Sequence, residues 1–155
     1  MPDAAATIIA ALIGFIGGLV AARYTFRQEA DELFLSGVEY LGGGSQQRNL
    51  GIAALDLAWE SRRHRKHIAP LLVGSTVYLL LESKQDDAAH ELHNLRRLVK
   101  LLVAAKGFGS LDSEDEQTLL RAIDRKLECG ADKRPGLLLA ESDLKKWRAQ
   151  IELAR

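Results

Sequence analysis

Between Asp3 and Arg23 lie 19 consecutive residues without an ionisable side chain, AAATIIAALIGFIGGLVAA. As an α-helix this run is about 28 Å long at 1.5 Å per residue, close to the roughly 30 Å hydrocarbon thickness of a bilayer. It predicts a single transmembrane helix over 4–22, although seven Ala and three Gly make it less apolar than a Leu-rich span. A cleaved signal peptide fits less well, because Met1, Pro2 and Asp3 put an acid where a basic flank is expected. Positive charge arrives only after the run, at Arg23 and Arg27. The positive-inside rule then directs the carboxyl-terminal side to the cytoplasm and the amino terminus outside. The expected location is a single pass through an inner or plasma membrane, with residues 23–155 forming a cytoplasmic domain.

Overall charge conceals this division. Over 155 residues, 21 Lys and Arg balance 21 Asp and Glu, yet every base and 20 of the 21 acids follow Ala22. The balance argues against a protein that coats nucleic acid, and the single Cys129 excludes a disulfide within one chain.

Small residues recur at every fourth position of the run: Ala6, Ala10, Gly14, Gly18 and Ala22, with a G-x-x-x-G at Gly14 and Gly18. Such a stripe lets two helices approach backbone to backbone, the way helices associate in lipid without a hydrophobic driving force. The partner is either a second copy or another membrane protein. Chance alignment in an Ala- and Gly-rich segment is the plainer account.

No Pro or Gly interrupts the chain from Ala22 to Ser36, so the membrane helix is expected to run straight into a cytoplasmic one. Phe26, Ala30, Leu33, Phe34, Val38 and Leu41 form its apolar stripe, and GGGS at 42–45 stops it. A second helix ends near Ser61. A third is expected to start between Ile68 and Pro70, where a missing amide is tolerated, and to run to Leu81. Asp86 to Lys106 is the most regular segment, with Gly107 at its end. Ser113 and Glu116 have capping-box spacing, and Gly130 is the natural terminator of that helix. DKRPG at 132–136 reads as a turn before a last helix from about Ser142 carrying Leu144, Trp147 and Ile151. That helix either completes the core or offers Trp147 as an exposed docking anchor. The fold class is therefore all-α: one amino-terminal span continuing into a bundle of five or six helices.

Residues 23–81 resemble the helical segment that follows the membrane anchor in many bacterial membrane proteins, including some with pentapeptide repeats, and are loosely similar to HEAT-type helical pairs. The resemblance rests on FRQEADELFLSGVEYLGGGS, QQRNLGIAALDLAWES and HIAPLL, with Leu41, Gly42, Arg48, Gly51, Ile52, Ala54 and Leu55 at the first turn and second helix. It implies helix pairing and membrane attachment, and carries over no catalytic residue.

Chemistry is sparse. His90 and His93 share a helix face and supply two potential metal ligands, but the spacing is not H-E-x-x-H and no third ligand is placed. Gly42 to Ser45 lacks the Gly-Lys-Ser/Thr ending of a phosphate loop, and there is no G-x-S-x-G and no C-x-x-C. Glu114, Asp115 and Glu116 suit a helix start without invoking catalysis. No enzymatic activity, cofactor or metal is expected. The densest basic cluster is SRRHRKH, in which Arg62, Arg63, Arg65 and Lys66 form a solvated interhelix loop or a contact patch for anionic lipid or an acidic protein; nucleic acid is the least favoured partner. The expected role is a non-enzymatic, membrane-anchored scaffold or recruitment subunit with the bilayer, a copy of itself or another membrane protein, and a cytoplasmic protein as partners. A small oligomeric pore or transport-associated subunit is the competing reading.

Overall fold

The computed structural model describes residues 4–83, 88–129 and 137–154, with side chains described from Phe15 onward except at residue 88. Six helices follow one another: α1 (Ala4–Leu41), α2 (Ser45–Ala58), α3 (Arg62–Leu81), α4 (Ala88–Gly107), α5 (Ser113–Glu128) and α6 (Glu141–Leu153). The described residues contain no strand, and the fold they form is all-helical, as expected.

Helix α1 is unbroken over 38 residues. Every described side chain from Phe15 to Glu29 is exposed, and α1 meets the bundle only from Ala30 onward. Its contact face is Ala30, Leu33, Phe34, Gly37 and Leu41, at the i, i+3, i+4 spacing of one helical side. Two members of the expected stripe fall away from it. Phe26 lies before the first contact and is 73% exposed, while Val38 is turned off the face and is 39% exposed. Among the described residues no helix is long and apolar enough to cross a membrane, so the span expected over 4–22 is not supported. Of its 19 uncharged positions, side chains are described only for 15–22.

The turn at 42–44 reverses the chain, and α2 returns along α1. Gln47 Oε1 accepts from the Gly44 amide at 3.2 Å, satisfying a donor that the helix start leaves open. The two helices touch through glycine. A Cβ at Gly51 would stand 2.7 Å from the Leu41 amide nitrogen and 2.9 Å from the Gly37 carbonyl oxygen, and one at Gly37 would stand 2.6 Å from Leu55 Cγ. Close approach, of the α1 backbone at Gly51 and of the Leu55 side chain at Gly37, rather than turn geometry, fixes glycine at both positions.

Helix α3 starts at Arg62, about two turns earlier than expected, and holds Pro70 in its interior. A proline there forfeits one backbone hydrogen bond. Pro70 sits on the exposed side, where water reaches the carbonyl it frees, while buried His64, Ile68, Ala69, Leu72 and Val73 hold the helix on both sides of it. Helix α4 continues through Gly107; the left-handed residue that ends it is Gly109, at φ 65°. The Ser110 amide then bonds the Ala105 carbonyl at 2.9 Å. The start of α5 is capped by Asp112, whose Oδ1 accepts from the Asp115 amide at 2.8 Å, rather than by Ser113. Glu116 instead accepts from Lys106 Nζ at 2.6 Å. Asp86, Asp87, Gly130 and the turn at 132–136 lie outside the described residues.

The core is formed by α2 to α6 with Leu41 from the end of α1; Leu72, Leu98, Leu102, Leu119, Ile123 and Ile151 are fully buried. Leu144 and Trp147 join them at 0% and 7% exposure, so the face of α6 considered for docking completes the core. One polar cluster is enclosed beside it. Arg48 of α2 pairs with Glu91 of α4, and both side chains are more than nine-tenths buried. The other Arg48 nitrogen donates to the Gly43 carbonyl at 3.0 Å, and the guanidinium lies 5.2 Å from the Tyr78 ring centre. Asn94 Nδ2 donates to Glu91 Oε2 at 3.1 Å and to the Ser45 carbonyl at 3.0 Å.

Gly51→Ala destabilises the bundle by about 1–3 kcal/mol in denaturant titrations, because the neighbour is backbone. Gly74→Ala, where an added Cβ meets nothing within 4 Å, stabilises α3 by about 0.5–1 kcal/mol in the same titration. Glu91→Gln leaves Arg48 buried beside a neutral partner and costs about 3–5 kcal/mol, whereas Arg48→Met with Glu91→Leu recovers most of that loss. An unchanged midpoint for Glu91→Gln would contradict the pair's burial.

Candidate functional site

The basic cluster occupies the first two turns of α3 rather than a loop. No acid sits in that first turn; Arg62 and Arg63 stand where the helix dipole favours anions. Local rules broken at an exposed place in an otherwise consistent bundle mark a candidate site.

Each side chain of the cluster has its own direction. His64 turns inward, 8% exposed at its side chain, stacks on Phe34 of α1 at 4.9 Å with an 11° interplanar angle, and its Nε2 donates to Asp31 Oδ1 at 2.7 Å. Arg63 reaches Asp31 Oδ2 at 3.4 Å while staying 70% exposed. Arg65 turns the other way: its Nε donates to the Trp59 carbonyl at 2.9 Å, and its guanidinium lies 5.9 Å from the Trp59 ring centre and 5.0 Å from that of Phe108. Arg62, Lys66 and His67 are exposed.

Arg62 and Arg63 form a ridge between two open grooves. One, of about 810 Å³, lies between α3 and the turn from α4 to α5, and sets Arg65 and Lys66 against Phe108, Asp112 and Asp115. Its charge is mixed. The Asp115 carboxyl is pushed above its ordinary value by burial, then by the neighbouring charges of Asp112 and Glu114. The other groove, of about 880 Å³, lies between α1 and the corner joining α2 to α3. Here Arg23 and Arg27 face the same space as Arg62 and Arg63, with Phe26, Ala30, Leu33 and Leu57 as apolar lining and Glu29 and Glu60 as acids.

The fold thus joins two basic pairs some 40 residues apart in sequence. In the sequence Arg23 and Arg27 serve only to orient the span, and no local pattern sets either beside SRRHRKH. The usable signal was Asp31, eight residues beyond Arg23 and on a face next to Phe34, which offered a basic cluster its partner on α1.

The other singled-out residues lie elsewhere. Ala6, Ala10 and Gly14 precede Phe15, the first described side chain; Gly18 and Ala22 are exposed, and a Cβ on Gly18 would meet nothing within 4 Å. His90 and His93 are exposed on α4 beside a hollow of about 340 Å³ that Gln46, Asn49 and Asn94 also line. Among the described residues no group of three His, Cys, Asp or Glu is placed to hold a metal ion. Arg96 and Arg97 of α4 are engaged apart from this cluster: Arg96 faces Asp143 of α6 at 3.9 Å, and Arg97 donates to Asn49 of α2. Cys129 is half-buried at the end of α5.

No family model matches the chain, and no curated protein or solved structure does either.

Asp31 is the contact that ties the ridge to α1. Asp31→Asn weakens both its bonds and costs about 1–3 kcal/mol, with amide exchange accelerated first in the α1 segment from Ala30 to Leu41. Uniform acceleration across all helices would show that the contact does not govern this seam.

Proposed function

We propose that the protein is a non-enzymatic, membrane-anchored scaffold or recruitment subunit: residues 4–22 cross the bilayer once, and residues 23–155 form a cytoplasmic helical domain. The observation that carries this reading is the division within α1. One unbroken helix projects from the bundle, and its first described side chains, Phe15, Ile16, Leu19 and Val20, are 55–66% exposed with no partner on the domain. Apolar side chains exposed in succession call for an apolar environment. They belong to the 19-residue run without an ionisable group, long enough to supply one. Arg23 and Arg27 at its end favour the cytoplasm for the domain. The absence of charge in the run speaks for anchoring more than for ion conduction.

The stripe through Gly14 and Gly18 associates with a copy or with another membrane protein, and the continuous helix hands that orientation to the bundle. Gly14→Leu with Gly18→Leu leaves the protein resistant to alkaline extraction from membranes but lowers its cross-linked oligomer fraction roughly tenfold, as expected for about 1–2 kcal/mol of close packing. Unchanged cross-linking removes the packing role, and release of the wild-type chain by alkali removes the anchor.

A further inference from the structure

We infer that the groove between α1 and the start of α3 binds the headgroup of an anionic phospholipid. The inference rests on the membrane reading for where the groove sits, and on the arginine arrangement for what it holds. Seven exposed residues, Arg23 to Glu29, separate the uncharged run from the first contact of α1 with the bundle, a neck of about 10 Å. That is near the distance over which a charged leaflet acts at physiological salt, about 8 Å. The groove opens beside this neck and carries arginines on both walls: Arg23 and Arg27 on α1, Arg62 and Arg63 on α3.

Phosphodiester oxygens suit this arrangement, because a guanidinium is a planar fork that donates to two oxygens at once. Among the described contacts Arg63 is shared with Asp31 at 3.4 Å and remains 70% exposed, which leaves its donors accessible. The apolar lining distinguishes a lipid from a free phosphate. Phe26 and Leu57, 73% and 61% exposed, line the same groove, and an exposed aromatic next to a basic neck matches the boundary between headgroups and acyl chains. The neighbouring groove has the same balance of four bases and two acids, but Phe108 is its one large apolar lining residue and its Arg65 is bonded to the Trp59 carbonyl.

The test uses the full chain, purified in nonionic detergent and titrated with phosphatidylglycerol or phosphatidylcholine, with bound lipid counted by native mass spectrometry. Wild type retains phosphatidylglycerol in preference. Arg23→Gln, Arg27→Gln, Arg62→Gln and Arg63→Gln together lower that retention about tenfold or more. A control that removes four charges elsewhere, at Arg121, Arg125, Lys145 and Lys146, leaves it near the wild-type level. Should the fourfold groove variant lose its helical melting transition, Arg23→Gln with Arg27→Gln, confined to the exposed neck, still gives a fall of about threefold. Equal retention of the two lipids, or equal loss in the groove and control variants, overturns the inference. Competition by soluble glycerol 3-phosphate at the same concentration also overturns it, since the groove would then read phosphate alone. Alkaline release from membranes would overturn the anchor without touching this result, because retention in micelles does not require a membrane span.

Discussion

The rest of the molecule depends on the contact between two backbones at Gly37 and Gly51. Helix α1 is held only over its last three turns, where Leu33, Phe34 and Leu41 pack on the bundle around Gly37. What fastens it is proximity: with no Cβ at Gly51, α2 lies against the Leu41 amide and the Gly37 carbonyl. From that seam the remaining positions propagate. Helix α2 presents Arg48 to Glu91 and so seats α4, while the start of α3 brings His64 against Asp31 and Phe34. The projecting part of α1 is therefore as well directed as the α1–α2 contact is tight.

Charge is deployed across helices more than within them. Lys126 of α5 is fully buried, and its Nζ donates at 2.6 Å to the Leu80 carbonyl in the last turn of α3. Lys106 of α4 does the same for α6, donating to the Ile151 carbonyl at 2.6 Å while bridging to Glu116. A cation at a carboxyl-terminal helix end meets both open carbonyls and the negative pole of the dipole. Neither α3 nor α6 has a base in its own last turn, and each receives one from a neighbour. This arrangement frees the arginines of α3 to sit at its amino-terminal end. Stabilisation of the opposite end comes from α5, and the unfavourable placement at the first turn is retained where the surface is exposed.

Periodicity made much of this fold legible. The unbroken α1, the stop at 42–45, the number of helices and the core-facing Leu144, Trp147 and Ile151 follow from apolar spacing and turn residues. What escaped was decided by contacts distant in sequence. Pro70 signalled a helix start because proline is costly inside a helix, yet burial of residues on either side outweighs one lost hydrogen bond. Asp112 displaced Ser113 as the cap once Glu116 was drawn to Lys106, an ion pair that no local pattern encodes. Phe26 continued the stripe by spacing, but the bundle begins one turn later. The candidate site was half legible: SRRHRKH stood out as a cluster, whereas Arg23 and Arg27 join it only through the reversal at 42–44 and the α2–α3 corner.

Helix phase relates the two proposed surfaces. At 3.6 residues per turn, each residue advances about 100°, so Arg23 and Arg27 lie about 140–220° around α1 from Gly14 and Gly18. Because α1 is continuous through both pairs, the glycine face and the arginine face point in nearly opposite directions. Association through the glycines would then turn the arginine grooves outward, toward surrounding lipid rather than toward the paired helix. The two readings do not compete for the same side of the anchor. Packing in the membrane would leave each groove accessible, and headgroups held there would resist rotation of the bundle about the neck.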